Sequence, residues 1–150
     1  MTRFVVFLFL AIYNAGGMTT LQLQHYGIYP SVGPEHFAEY MRANNRAAAL
    51  PTIVPALLLL VSSLVLTLQR PEFMRPFEAR TALGLNLVAL ISTFVWQRPI
   101  QGQMAVSGYD AAKTRRLIAT NWIRTIAYWL IALIGTLVVT RLVAIGTARS

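Results

Sequence analysis

The sequence lacks cysteine and contains few charged residues. Lys and Arg number 13, Asp and Glu number five, and charged residues make up 12% of the 150 positions. The absence of cysteine excludes disulfides, thiolate metal sites and thiol catalysis. Soluble domains average about 25% charged residues. Because this chain has half that fraction, it cannot cover a globular surface with polar groups, and lipid must cover part of it.

What the chain has instead is apolar sequence, with 56% hydrophobic residues and a mean hydropathy of +0.56. A helix needs about twenty apolar residues to cross ~30 Å of hydrocarbon. The sequence offers four such runs, joined by short links, which predicts an all-α membrane protein, an antiparallel four-helix transmembrane bundle. We take residues 1–150 as one domain, with spans at about 4–23, 50–68, 79–96 and 122–145.

The first run also resembles the apolar core of a signal peptide. Tyr13 stands where a cleavage site needs a small residue, so we predict a helix that is retained.

Two of the helices are predicted to be longer than the membrane is thick. Gly33-Pro34 provides a helix start, and residues 35–49 continue toward the second span, where Pro51 and Pro55 predict a bend. Asp110 is a suitable N-cap for a helix that runs without a breaker to residue 145, a length of about 50 Å. Helices 2 and 4 should therefore extend beyond the bilayer on one side.

The net charge of +8 raises the question of nucleic acid. The arginines lie between the apolar runs and do not form one patch, so we predict no nucleic-acid partner and expect the cations to anchor helix ends at anionic lipid. The partner is the lipid bilayer, and the predicted location is a bacterial inner (cytoplasmic) membrane. The cations are nearly balanced between the two sides, so the positive-inside rule does not fix the orientation.

Polar residues recur every three or four positions in three of the spans, which places them on helix faces that should point inward. Polar side chains at such positions can also be purely structural, because hydrogen bonds between membrane helices stabilise their association by about 0.6–2 kcal/mol each. The stripes are Asn14, Gln22 and His25 in the first helix, Asn86, Thr93 and Gln97 in the third, and Asn121, Arg124, Thr125, Tyr128 and Thr136 in the fourth.

The alternation of the helices brings many polar residues to one membrane face, where a polar pocket above an apolar bundle could bind an amphipathic small molecule. The alternative is that they are structural, with arginines reaching the interface from helix ends. The candidate ligand-binding residues are Tyr26, Tyr40, Asn44, Gln97, Gln101, Asn121 and Tyr128, with His25 and Arg124 as the candidate catalytic pair.

The two histidines of the chain are candidate metal ligands. His25 and His36 with Glu35 and Glu39 could in principle hold a metal or haem, but their spacing matches no standard signature. We predict no metal and no other cofactor.

Four motifs together resemble a family of small bacterial four-span proteins related to anthrone oxygenases. They are His25-Tyr26-Gly27-Ile28-Tyr29, Phe37-x-x-Tyr40 with Asn44 and Arg46, Trp96-Gln97-Arg98-Pro99-Ile100-Gln101, and Asn121-Trp122-Ile123-Arg124-Thr125. The resemblance covers nearly the whole chain and implies a four-helix fold. It also implies oxidation of anthrones to anthraquinones without a tightly held cofactor, on a hydrophobic aromatic ligand. This sequence departs from the pattern with amides at Asn44 and Gln101, where relatives often have histidine.

Two functions follow as hypotheses. The first is an accessory or structural subunit of a membrane complex or homo-oligomer. This hypothesis is favoured because the sequence contains no recognisable set of catalytic residues. The alternative is a membrane-embedded oxygenase-like enzyme, or a binder of a hydrophobic aromatic or quinone-like molecule. In that case His25 would accept a proton, Arg124 would stabilise a phenolate or enolate oxygen, and Asn121 and Gln101 would orient the ligand.

Overall fold

The four apolar runs form four helices, each long and apolar enough to cross a membrane. The computed structural model describes residues 1–147, so positions 148–150 of the predicted domain lie outside it. Residues 1–147 contain no strand. The predicted all-α bundle is confirmed, and the predicted spans lie within the continuous helical segments Thr2–Ser31, Ala49–Leu68, Pro76–Ser107 and Ala111–Thr147.

Three of these segments change their helical geometry along their length, because each contains a π-helical stretch. In chain order the elements are α1 Thr2–Thr20, a π segment Leu21–His25, a 3₁₀ segment Tyr26–Ser31, α2 Pro34–Ala47, a π segment Ala49–Ile53, α3 Val54–Leu68, α4 Pro76–Ser92, a π segment Thr93–Gln97, α5 Arg98–Ser107 and α6 Ala111–Thr147.

The bundle is a four-membered ring in which α1 packs on α3 and α6, and α4 packs on the same two helices. We call the end that carries α2, α5 and the start of α6 the cap end, and the opposite end the loop end. Phe7, Leu59 and Ile131 are fully buried between the spans. A second cluster, with Phe37 and Met104 at its centre, forms where α2 packs on α5 at the cap end.

Lipid is the natural environment for the outer surface of the ring. Large apolar side chains such as Phe9, Val61 and Leu133 are more than half exposed on the spans. A water-soluble protein rarely exposes apolar area on this scale.

Two of the three π segments lie just before a proline. A proline lacks the N–H that would bond the carbonyl four residues earlier, and its ring crowds that carbonyl. Pro55 follows the π segment Ala49–Ile53, and the carbonyl of Pro51 accepts instead from the Tyr13 hydroxyl (3.2 Å). Pro99 follows the π segment Thr93–Gln97 in the same way.

The sequence predicted that the third helix ends near residue 96, and this prediction is wrong. The π turn absorbs Pro99 and the helix continues to Ser107. The predicted extension of helices 2 and 4 is confirmed, with α6 about 55 Å long, but the first and third helices also continue into the cap end. Asp110 caps α6 by accepting from the Lys113 backbone N–H (2.9 Å), a bond that lowers the pKa of its carboxyl.

At the loop end, one ion pair joins the third and fourth spans. Arg141 Nη2 donates to both carboxylate oxygens of Glu78, at 2.7 and 3.0 Å. The same carboxylate accepts from the Arg75 backbone N–H (2.7 Å) and so caps α4. The Glu78 side chain is 9% exposed and that of Arg141 is 27% exposed, so the pair is largely withdrawn from water.

We expect Glu78→Gln to lower the free energy of unfolding by about 1.5–3 kcal/mol, because hydrogen bonds to charged groups contribute on that scale. The measurement is reversible unfolding in mixed detergent micelles. The control is Glu72→Gln, which changes an exposed carboxylate in the neighbouring loop and should have little effect. Equal destabilisation by both variants would contradict the assignment.

Candidate functional site

The three π segments lie at one level of the bundle and line one cavity. π-helical turns are rare and often mark functional sites. The cavity lies where the spans meet the cap, and Arg124 of α6 forms part of its wall. The three segments contribute seven of its lining residues, namely Leu21, His25, Ala49, Thr52, Ile53, Thr93 and Gln97. The others are Tyr26, Asn44, Ala48, Arg98, Gln101 and Arg124.

Arg124 is the central polar side chain of this site and is only 7% exposed. Its Nε donates to Asn121 Oδ1 (3.0 Å), and its Nη2 donates to the same oxygen and to the Tyr26 hydroxyl (3.2 Å). Its Nη1 donates to Thr93 Oγ1 (3.3 Å). Three helical segments thus supply neutral oxygens to one guanidinium group.

None of these partners carries a negative charge. Within residues 1–147, no carboxylate lies at ion-pair distance from Arg124. Glu35 and Glu39 are at the cap end but both are exposed to the outside. An arginine is always protonated, and burial of a lone charge costs several kcal/mol. Arg124 therefore presents an uncompensated positive charge to the cavity.

The hydrogen-bond directions around Tyr26 are fixed by the backbone. Gln97 Nε2 donates to the Leu117 carbonyl (3.2 Å) and to Thr120 Oγ1 (2.7 Å). A carbonyl only accepts, so the amide nitrogen must face Leu117 and the amide oxygen must face Tyr26. The Tyr26 hydroxyl donates to that oxygen (3.2 Å), which leaves its lone pairs for Arg124.

A second set of bonds holds Asn121 from behind. Asn121 Nδ2 donates to Gln22 Oε1 (2.7 Å), and Gln22 Nε2 donates to the Ile118 carbonyl (3.3 Å). These contacts join α1 to α6 and support the oxygen that faces Arg124. The polar stripes therefore do hold the helices together, as one of the two interpretations of the sequence proposed.

The cavity is small. It offers about 40 Å³ to the centres of water molecules, and a neighbouring cavity of about 20 Å³ is lined in part by Met18, Leu90 and Tyr128. Arg124 and Thr93 line both cavities. A water needs roughly 10–15 Å³ by this measure. The space beside Arg124 thus accommodates an oxygen-bearing group, but a fused aromatic ring system enters only if the walls move apart.

His25 is half-buried on the cavity wall, and its Nε2 lies 3.3 Å from the Tyr29 hydroxyl. When Nε2 carries the proton and donates to Tyr29, Nδ1 keeps its lone pair. In the other tautomer the basic nitrogen is Nε2, which then accepts the hydrogen bond from the Tyr29 hydroxyl.

Six of the nine candidate residues line the main cavity: His25, Tyr26, Asn44, Gln97, Gln101 and Arg124. Tyr128 lines the smaller cavity, and Asn121 supports Arg124. Tyr40 lines neither and packs its ring against Tyr29 and Phe37 in the cap. Thr93 was on a predicted polar stripe but was not among the candidates. Its hydroxyl contacts Arg124 from the first position of the π segment Thr93–Gln97.

Most of the stripe residues are buried as expected, but Thr136 is exposed and donates to its own helix at Ala132 (2.9 Å). Asn86 is fully buried, and both of its amide atoms lack a hydrogen-bond partner. The described part of the chain contains no group of three or more His, Asp or Glu side chains that could hold a metal ion.

We expect Tyr26→Phe to lower the free energy of unfolding by about 1–3 kcal/mol, because Gln97 would lose its donor and Arg124 one acceptor. The matched control is Tyr128→Phe, which changes a similarly buried residue whose hydroxyl lies beside the smaller cavity and makes no hydrogen bond in the described structure. Unfolding in mixed micelles measures both. If the two variants behave alike, the hydrogen-bond network around Tyr26 is not as described.

Comparison of the chain with protein families, characterised proteins and solved structures finds no match. The function of the cavity must therefore be inferred from its own residues, above all from the unpaired charge of Arg124.

Proposed function

We propose that the chain is a membrane-embedded protein that binds the acidic oxygen of a hydrophobic small molecule beside Arg124. The observation that carries this proposal is the buried guanidinium without a carboxylate partner. Ionisable residues within spans are costly and commonly mark functional sites. A phenolate, an enolate or a carboxylate would supply the missing negative charge.

The position of the cavity fits a ligand that arrives from the membrane. Arg124 and Arg141 are 17 residues apart on α6, about 25 Å along its axis, so they lie near opposite edges of a ~30 Å hydrocarbon layer. The cavity wall combines polar groups such as Gln97 with apolar ones such as Leu21 and Ile53. An amphipathic molecule would place its oxygen at Arg124 and its apolar part toward the spans.

A ring system needs more room than the closed cavity provides. The π segments Leu21–His25 and Ala49–Ile53 are where the first two spans join the cap, and their wide turns are the places at which the cap would shift. Binding would thus couple to a movement of α2 away from the bundle.

The resemblance to anthrone oxygenases gives this proposal a chemical form. His25 Nδ1 would remove the proton from the methylene carbon of an anthrone, and Arg124 would stabilise the resulting enolate oxygen. The carbanion form would then react with dioxygen and lose water, so that anthrone and dioxygen give anthraquinone and water. The amides at Asn44 and Gln101 would contact the ligand without transferring protons.

The test uses the chain in lipid nanodiscs and 1,8-dihydroxyanthrone under argon, with quenching of tryptophan fluorescence as the readout. Arg124→Gln should weaken binding roughly 10–100-fold, because a hydrogen bond to a charged group contributes about 1.5–3 kcal/mol. The matched control is Arg141→Gln on the same helix, which removes a paired charge and should leave binding unchanged. Anthracene, which has the ring without the oxygen, should not distinguish Arg124→Gln from the original chain.

Admission of air then tests the oxygenase step. Anthraquinone should form in the original chain, and His25→Ala should slow its formation about 10²–10⁴-fold while binding persists. Binding without turnover would reduce the proposal to a binding protein. Equal binding by Arg124→Gln and the original chain would refute both forms. An accessory-subunit role stays a prediction, and the exposed apolar surface singles out no protein partner for it.

A further inference from the structure

The loop end, at the opposite end of the bundle from the cavity, has a second surface feature that the proposed function does not use. An apolar groove of about 640 Å³ runs along the outside of the bundle between α1 and α3. Its walls are Val5, Val6 and Phe9 on one side and Leu58, Val61 and Val65 on the other. Arg3 lies at its membrane-surface end.

The shape of the groove suits an unbranched hydrocarbon chain. Each wall covers about seven residues of helix, which corresponds to roughly 10 Å of groove along the bundle axis. A flexible acyl chain can follow such a channel between two helices. The groove is thus long enough for the half of an acyl chain nearest the headgroup.

The charge at the loop end selects the headgroup. Among residues 1–147, the arginines at this end are Arg3, Arg70, Arg75, Arg80 and Arg141. Of the two glutamates there, Glu78 is already paired with Arg141, and Glu72 is exposed in the loop. Arg3 donates from Nη1 to Gln69 Oε1, which holds the guanidinium between α1 and the end of α3. A guanidinium has five N–H donors, so the group still has donors to offer a phosphate.

We propose that the groove binds one anionic phospholipid, with its phosphate at Arg3 and part of one acyl chain between Phe9 and Val61. Basic pockets beside membrane helices are known to favour anionic lipid headgroups. A second copy of the chain is the other conceivable occupant. A twofold contact through this groove would bring the two copies of Arg3 together, and like charges would oppose it.

The test is native mass spectrometry after extraction into micelles that contain equal amounts of phosphatidylglycerol and phosphatidylcholine. We expect one retained phospholipid, with phosphatidylglycerol preferred about fivefold, since one arginine near the surface contributes about 1 kcal/mol. Arg3→Gln should abolish that preference. Arg80→Gln, which removes an exposed charge at the same end outside the groove, should preserve it.

The apolar half of the site has its own variant. Val61→Trp fills the groove and should reduce retention of both lipids, whereas Val88→Trp, on the exposed face of α4, should not. Unchanged melting temperatures exclude misfolding as the cause. Equal retention of the two lipids, equal effects of Arg3→Gln and Arg80→Gln, or a dimer mass lost on Val61→Trp would each overturn the proposal.

Discussion

The guanidinium of Arg124 is the group around which the cap-side half of the bundle is arranged. A permanent charge withdrawn from water needs oxygens on every side, and the chain supplies them from the 3₁₀ segment Tyr26–Ser31, the third span and α6 itself. Tyr26 can accept from Arg124 only because Gln97 accepts the Tyr26 proton, and Gln97 is oriented by the Leu117 carbonyl. A backbone carbonyl thus fixes the direction of a chain of hydrogen bonds that ends at the charge of Arg124.

Arg124 and Arg141 of α6 are both at least partly withdrawn from water, but their charges are accommodated in different ways. Arg141 meets a carboxylate at 2.7 Å, so its charge is compensated and its role is to join α6 to α4. Arg124 meets only neutral oxygens and two small cavities. An ion pair such as Arg141–Glu78 is sufficient to hold two helices together, whereas an uncompensated charge is costly in an apolar bundle. This difference between Arg141 and Arg124 is the basis of the proposal that Arg124 binds a negatively charged group of a ligand.

Backbone geometry makes room for that arrangement. Pro55 and Pro99 each prevent regular α-helical bonding to the preceding turn, and a π turn precedes each of them. Thr93 and Gln97 lie four residues apart, so they face the same side of their helix and share one cavity wall with His25. The same turns let the helices continue beyond the membrane-spanning length, so the cavity is enclosed by a cap instead of opening directly to water.

The sequence by itself determined the number of spans and the end of the bundle at which the candidate site residues gather. Lipid dictates the length of an apolar run, and the alternation of four spans places His25, Gln97 and Arg124 at one face whatever their packing. Only the tertiary structure decided the rest. The third helix continues past Pro99 because of its turn geometry. The position of Tyr40 in the cap depends on contacts between side chains. Contacts between residues far apart in sequence also surround Arg124 with neutral oxygens, and no carboxylate of residues 1–147 lies beside it. Hydrophobic periodicity records which face of a helix is buried, but it does not record which partner that face meets.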